Sequence, residues 1–165
     1  MIDANLTALE IVGVAIRAER DAFDLYSAMA DQVQKPELKT ELTNLADQEK
    51  EHEKWLTEYY AEATGEKSPP PVPDVRIKMF GPEVHDGMGL LEVLDLAVEK
   101  EYLAEKVYAE AGRRSKDPSG KRLLDELVQF ERSHARRLEH MRDDARRNPA
   151  WLEDENGRTI QLQGP

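Results

Sequence analysis

Two Glu-x-x-His steps, Glu49-Lys50-Glu51-His52 and Glu131-Arg132-Ser133-His134, are the residues in this sequence best suited to chemistry. On a helix of 3.6 residues per turn, positions i and i+3 project from one face, so each carboxylate and imidazole can reach one metal ion together. A single such step says little, because Glu and Lys fill most solvated helix faces. The repetition is what carries information. The second copy follows the first by 82 residues, and each His is followed four residues later by a leucine, Leu56 and Leu138.

The same offset of 82 pairs Leu9 with Leu91, Glu10 with Glu92, Ala15 with Ala97, Glu19 with Glu101, Ala22 with Ala104 and Tyr26 with Tyr108. It also pairs Pro36 with Pro118, Lys39 with Lys121, Leu42 with Leu124 and Leu45 with Leu127. With Glu49, His52 and Leu56 this makes 13 identities over the 50 positions from 7 to 56, without a gap. The pattern is an internal duplication of a two-helix unit.

The helices that must position these residues can be read in order. Thr7-Ala8-Leu9-Glu10 is a capping box, and apolar residues recur at helical spacing from Leu9 to Ala30, which predicts a helix over 7–33. Pro36 suits the first turn of a second helix, 36–65, with Gly65 as its stop. Ser68-Pro69-Pro70-Pro71-Val72-Pro73 cannot lie in a regular helix, so 66–87 reads as a crossover linker. At about 3.3 Å per residue the 23 residues from Gly65 to Gly87 reach roughly 70 Å, against roughly 40 Å for a helix of about 27 residues. The linker can therefore span the bundle end to end. A third helix follows over 89–114, with Gly89 where Thr7 stands in the first copy, and a fourth over 118–147, ended by Asn148-Pro149. Residues 1–147 thus form one all-α, four-helix bundle of two pseudo-symmetric hairpins. Residues 148–165 form a C-terminal tail that docks through Trp151 and Leu152.

Hairpin geometry then sets heights. Glu19 lies 14 residues before position 33 and Glu49 lies 13 after position 36; in the second copy Glu101 lies 14 before 115 and Glu131 lies 13 after 118. At about 1.5 Å per residue these coincide, so face-to-face packing brings Glu19, Glu49, His52, Glu101, Glu131 and His134 to one layer. Bare carboxylates there would be strongly unfavourable, because each desolvated charge costs several kcal/mol unless paired or metal-bound. Two divalent ions would balance four carboxylates. Oxygen-rich ligation with one imidazole per metal suits iron or manganese, with zinc and cobalt as substitutes. A Glu from each of two helices and Glu-x-x-His from the other two is the ligand set of ferritin-like di-metal bundles.

Composition bounds the alternatives. The 165 residues suit one domain, and 35% charged residues favour long amphipathic helices over a sheet protein. A net charge of -11 argues against nucleic acid or an anionic membrane as the main partner. No cysteine is present, which excludes disulfides, thiolate zinc sites and iron–sulfur or rubredoxin-type iron sites within the chain. Met1-Ile2-Asp3-Ala4 is not the start of a basic and then apolar leader, so the chain is expected to be soluble and cytoplasmic.

Ala18-Glu19-Arg20-Asp21-Ala22-Phe23-Asp24-Leu25-Tyr26 with Glu49-x-x-His52, and Val98-Glu99-Lys100-Glu101 through Tyr108 with Glu131-x-x-His134, resemble the rubrerythrin branch of the ferritin-like superfamily. The resemblance covers about residues 7–147. It implies a non-haem di-iron centre on these Glu and His positions, reduction of hydrogen peroxide or oxygen, and a homodimer, for which the long linker also permits domain exchange. Two departures matter. Rubrerythrins proper carry an extra Glu where this chain has Ala104, and they carry a rubredoxin domain that is missing here. The chain keeps the minimum of four Glu and two His shared with bacterioferritin-like centres. That makes ferroxidase or iron storage the alternative, and a non-catalytic metal-binding structural module a second one. Glu99 and Glu105 are not assigned as ligands.

Tyr26 and Tyr108 each follow a layer Glu by seven residues, nearly two turns. Two readings stand: core packing, or a phenol hydrogen-bonded to a ligand carboxylate, fixing its orientation. Tyr102 reads as packing or channel lining, His85 and His140 as ordinary, and Trp55, Tyr59 and Tyr60 as core or dimer surface. The resulting expectation is a centre of two iron ions per chain that reacts with peroxide or oxygen. Without an internal electron route, it depends on an external donor such as a rubredoxin or a flavoprotein.

Overall fold

The computed structural model describes residues 6–71, 78–81 and 84–163; linker residues 72–77 and 82–83, the N-terminal residues 1–5 and the last two residues lie outside the described residues. The chain folds into four long helices, α1 (Ala8–Gln32), α2 (Pro36–Thr64), α3 (Leu90–Arg114) and α4 (Pro118–Arg147). Short 3₁₀ turns lie at Lys78–Phe80 and Pro149–Leu152. No helix among the described residues is long and apolar enough to cross a membrane.

The boundaries follow from local chemistry. Thr7 caps α1 reciprocally: its N–H donates to Glu10 Oε2 at 2.9 Å while its Oγ1 accepts from the Glu10 N–H at 3.2 Å. Asp117 caps α4 by accepting from the N–H groups of Ser119 and Gly120 at 3.2 and 2.8 Å. Pro36 and Pro118 open α2 and α4, where a missing N–H costs nothing. Gly65 ends α2 at φ 77°, a left-handed turn that only glycine adopts without strain.

Two apolar clusters show how the helices run. One joins Met29, Ala30, Leu38 and Leu42 to Leu90, Val93 and Leu94 and to Leu138 and Met141. The other joins Ile11, Val12 and Ala15 to Leu56, to Val107 and Ala111, and to Leu124 and Leu127. The end of α1 therefore meets the start of α3, and the end of α2 meets the start of α4. The hairpins pack with α1 against α3 and α2 against α4, both pairs antiparallel. The two helices joined by the linker, α2 and α3, run in the same direction, which requires the linker to travel the length of the bundle. Phe80 of the linker belongs to one cluster and Val84 packs against the other.

The C-terminal residues fold back on the start of α3. Ile160 and Leu162 are buried; the Leu162 N–H donates to Met88 O at 2.8 Å and the Gly87 N–H to Leu162 O at 2.8 Å. The Leu90 N–H donates to Ile160 O at 3.2 Å, so the tail satisfies a first-turn donor of a helix whose cap, Gly89, has no side chain to do so. Trp151 and Leu152 are partly buried against the same cluster, and the Trp151 ring carries Lys35 Nζ 4.9 Å from its centroid.

Candidate metal centre

Between the two apolar clusters lies a polar layer. Glu19, Glu49, His52, Glu101, Glu131 and His134 are each 1–3% exposed, and among the described residues they are the only buried side chains outside the apolar, aromatic and glycine classes. α1 supplies Glu19, α2 Glu49 and His52, α3 Glu101, and α4 Glu131 and His134. Ligand-capable atoms of Glu49, His52, Glu131 and His134 all lie within 4.8 Å of one another. His52 Nδ1 stands 3.0 Å from Glu49 Oε2, 3.2 Å from Glu131 Oε1 and 3.5 Å from Glu19 Oε2. His134 Nδ1 stands 2.9 Å from Glu49 Oε1, 3.4 Å from Glu131 Oε2 and 3.9 Å from Glu101 Oε2. The two imidazoles stack at 5.4 Å, 17° from parallel.

Closeness does not satisfy these atoms. Glu49 Oε1, Glu131 Oε1 and both ring nitrogens of His134 have no hydrogen-bond partner, although Glu49 Oε1 and His134 Nδ1 are neighbours, because the directions are wrong. Buried polar atoms left unpaired cost about 1–3 kcal/mol each, so native proteins rarely keep them without a further partner. Carboxylate oxygens and imidazole nitrogens converging from four helices are donors that a divalent ion would satisfy.

Electrostatics describe the same layer in its metal-free form. Burial, followed by the charges of Glu131 and Glu49, pushes the Glu19 carboxyl well above its usual range, and burial does the same to Glu101 with the same two neighbours. Burial also opposes charge on Glu49 and Glu131, but the imidazoles outweigh it and hold both carboxyls low. Burial works against the imidazolium at His52 and His134 and is overcome by the carboxylates; His52 is driven far up and His134 to about 9. Burial thus favours the protonated form of the outer two carboxyls, while the two imidazoles and the two inner carboxylates favour one another's charged forms. Metal ions would replace those protons.

Each tyrosine reaches across the duplication. The Tyr26 hydroxyl on α1 donates to Glu101 Oε1 on α3, and the Tyr108 hydroxyl on α3 donates to Glu19 Oε1 on α1. Both rings are at most 1% exposed, and burial followed by the partner carboxylate pushes both phenols up, so they remain donors. Of the other residues singled out in the sequence, Tyr102 donates to Glu139 at 3.0 Å, His85, Glu99 and His140 are exposed, and Glu105 accepts from Arg132 Nε at 3.1 Å.

Two features go beyond what the spacing alone places. A cavity of about 40 Å³ lies on the α1/α3 side, lined by Ala18, Ala22, Ala104, Phe80 and Lys100 and reaching Glu19, Glu49, Glu101 and Glu131. It has room for a molecule of the size of water or slightly larger. Phe80 packs on Tyr108 at 5.9 Å, and the adjacent Gly81, at φ 110°, sits so close to α3 that a Cβ there would stand 2.9 Å from Lys100 Cγ. On the opposite, α2/α4 side, Trp55 and Phe130 cover His52, with ring centroids 5.5 and 5.0 Å away. Trp55 stands three residues after His52, which was the available hint; Phe130 had none.

The fold and layer define a ferritin-like four-helix bundle with a carboxylate–imidazole site. The rubrerythrin family profile matches residues 10–142, and the chain belongs to that family. Its structure is similar to a hypothetical protein from Pyrococcus furiosus, with 26% identity, TM-score 0.75, and coverage of 85% of this chain and 90% of that one. It is also similar to a Thermotoga maritima protein described as ferritin-like and diiron-carboxylate, with 21% identity, TM-score 0.66, and coverage of 85% and 97%. A third similar structure is a dodecameric thioferritin, the bacterioferritin-related protein of Bacteroides fragilis, with 19% identity, TM-score 0.65, and coverage of 88% and 90%. No curated protein matches the sequence significantly.

Proposed function

We propose that Glu19, Glu49, His52, Glu101, Glu131 and His134 hold two iron ions, and that the loaded chain is an oxidoreductase that reduces hydrogen peroxide or oxygen with electrons from an external donor. The observation that carries this reading is the set of buried carboxylate and imidazole atoms without hydrogen-bond partners at the centre of the layer. When bound, the two ions would supply two electrons to an O–O bond and act as Lewis acids toward its oxygens. Glu49 and Glu131 lie between both imidazoles, so both would hold metal in the middle of the layer. Tyr26 and Tyr108 orient Glu101 and Glu19 by donating to one oxygen and leaving the other free. The small cavity supports a substrate of very few atoms, and the apolar clusters on either side keep bulk water out.

Ferroxidase activity is the second reading. It is favoured by Ala104, which lines the cavity with a methyl group and leaves the layer at six donors. Metal analysis and stopped-flow absorbance test both. Close to two iron ions per chain are expected. The reduced protein should consume about one peroxide per site in a single burst and then stall until a rubredoxin or flavoprotein is added. Sustained peroxide loss without reductant would indicate disproportionation and overturn the donor-dependent reading. Repeated turnover of added Fe(II) with oxygen, in a cage-sized particle, would establish ferroxidase instead.

A further inference from the structure

The duplication gives His52 and His134 equivalent positions, yet what covers them differs. Trp55 and Phe130 pack on His52 and on each other, with centroids 5.8 Å apart, and both are partly exposed. An unbroken series of ring contacts therefore leads from the protein surface to an imidazole that is 1% exposed. Shifted by 82 residues, the same two places are held by Arg137 and Gln48. These are joined to one another, with Arg137 Nη1 donating to Gln48 Oε1 at 2.6 Å, and Arg137 also donates to Glu41 at 3.0 Å. The equivalent place is therefore occupied without any ring.

We infer that Trp55, supported by Phe130, is the path by which electrons from a reductant outside the chain reach the metal layer, and that they arrive at its His52 end. The inference rests on the reading of the layer as a redox metal site. Electron tunnelling falls off steeply with distance and favours closely packed π systems, and these rings shorten the gap between surface and layer. The other aromatic side chains touching the layer, Tyr26 and Tyr108, are buried and do not reach the surface. The chain has no cysteine to relay electrons. Trp55 and Phe130 also lie across the bundle from the cavity, so a bulky reductant and a small oxidant use different faces. Each encounter oxidises the reductant by one electron and reduces one metal ion by one. Two encounters restore the two-electron capacity, and no bond of Trp55 is made or broken.

The test uses the full chain loaded with iron, oxidised with one equivalent of hydrogen peroxide and mixed with reduced viologen, a one-electron reductant too large for the cavity. Trp55→Leu should slow re-reduction about tenfold, the rate equivalent of ~1.4 kcal/mol of barrier, while the peroxide burst keeps its rate. Trp55→Phe should restore most of the rate, and Arg137→Leu, in the equivalent place, should leave it unchanged. If Trp55→Leu lowers metal content, Phe130→Leu carries the same comparison. Re-reduction at the normal rate in a fully loaded Trp55→Leu or Phe130→Leu protein, or equal slowing of burst and re-reduction, overturns the inference. A measurement free of turnover separates it from the reading beneath it. In a Trp151→Phe background Trp55 is the sole tryptophan, and Co(II) binding should quench its emission strongly. Bound Co(II) without quenching would mean that the metal lies elsewhere, and the metal-site reading itself would fall.

Discussion

The two hairpins hold the same Glu, Glu-x-x-His and Tyr at the same places and have little else in common around them. In the first, α1 carries its own reciprocal cap and His52 is covered by two aromatic rings; in the second, α3 is capped by the chain's C-terminal residues and an Arg–Gln pair stands in place of the rings. Every residue that points into the layer is held at both places. Those that differ lie on its outside, where each half meets different surroundings. The comparison separates what the layer requires twice from what the molecule requires once.

The largest expected effect addresses the shared part. Glu49→Ala and Glu131→Ala should each abolish most metal binding, as read by metal analysis. In the metal-free chain each removes a partner from a buried charge, a loss of about 3–5 kcal/mol measurable by thermal or denaturant unfolding. Similar losses in both variants would uphold the symmetry; full occupancy in either would break it. Tyr26→Phe and Tyr108→Phe come next, each removing one donor from a layer carboxyl. Metal affinity should fall about 10–100-fold in both, and stability by about 1–3 kcal/mol. A clear difference between the two would show that Glu19 and Glu101 are not equivalent ligands.

Acid–base behaviour sharpens the contrast further. His134 is raised from its ordinary 6.5 to about 9, so between those values the folded metal-free chain keeps a proton that the unfolded chain has released. The stability it confers is complete below pH 6.5 and is lost as pH rises through about 9. His52 is raised further, so it releases its proton at higher pH. Unfolding of the metal-free protein monitored across pH 6–10 should show this decline, whereas metal affinity should rise over the same range because imidazole binds metal in its neutral form. Metal-free stability that increases with pH would contradict the assignment. The smallest effect concerns the caps. Thr7→Ala should cost about 1 kcal/mol, and Ile160→Ala, which loosens the extended segment that caps α3, a comparable amount or more because it also empties a buried site.

Much of the architecture was legible because its signals are local or repeated. Pro36, Gly65 and Pro118 mark helix ends by conformational necessity, and the 82-residue offset gives two readings of each helix. The level shared by Glu19, Glu49, Glu101 and Glu131 follows from counting along straight helices away from a tight turn. Periodicity assigns a residue to a face, however, and does not say what lies opposite. It placed Tyr26 on the face of Glu19, while the antiparallel packing of α1 on α3 delivers its hydroxyl to Glu101. Phe80 could not be placed over the cavity from sequence, since an aperiodic linker carries no register. The same holds for Ile160 and Leu162, whose extended backbone is fixed only by its bonds to residues 87–90.

The lengthwise linker also sets an expectation for the order in which the molecule assembles. Contacts within each hairpin join residues near in sequence, and these close quickly; the layer draws on residues from Glu19 to His134 and waits for the hairpins to meet. That late docking step is also the one that withdraws six titratable groups from water. Folding of the metal-free protein should therefore show a fast phase in which helix forms and a slower one that depends on pH, and added metal ion should act on the second alone.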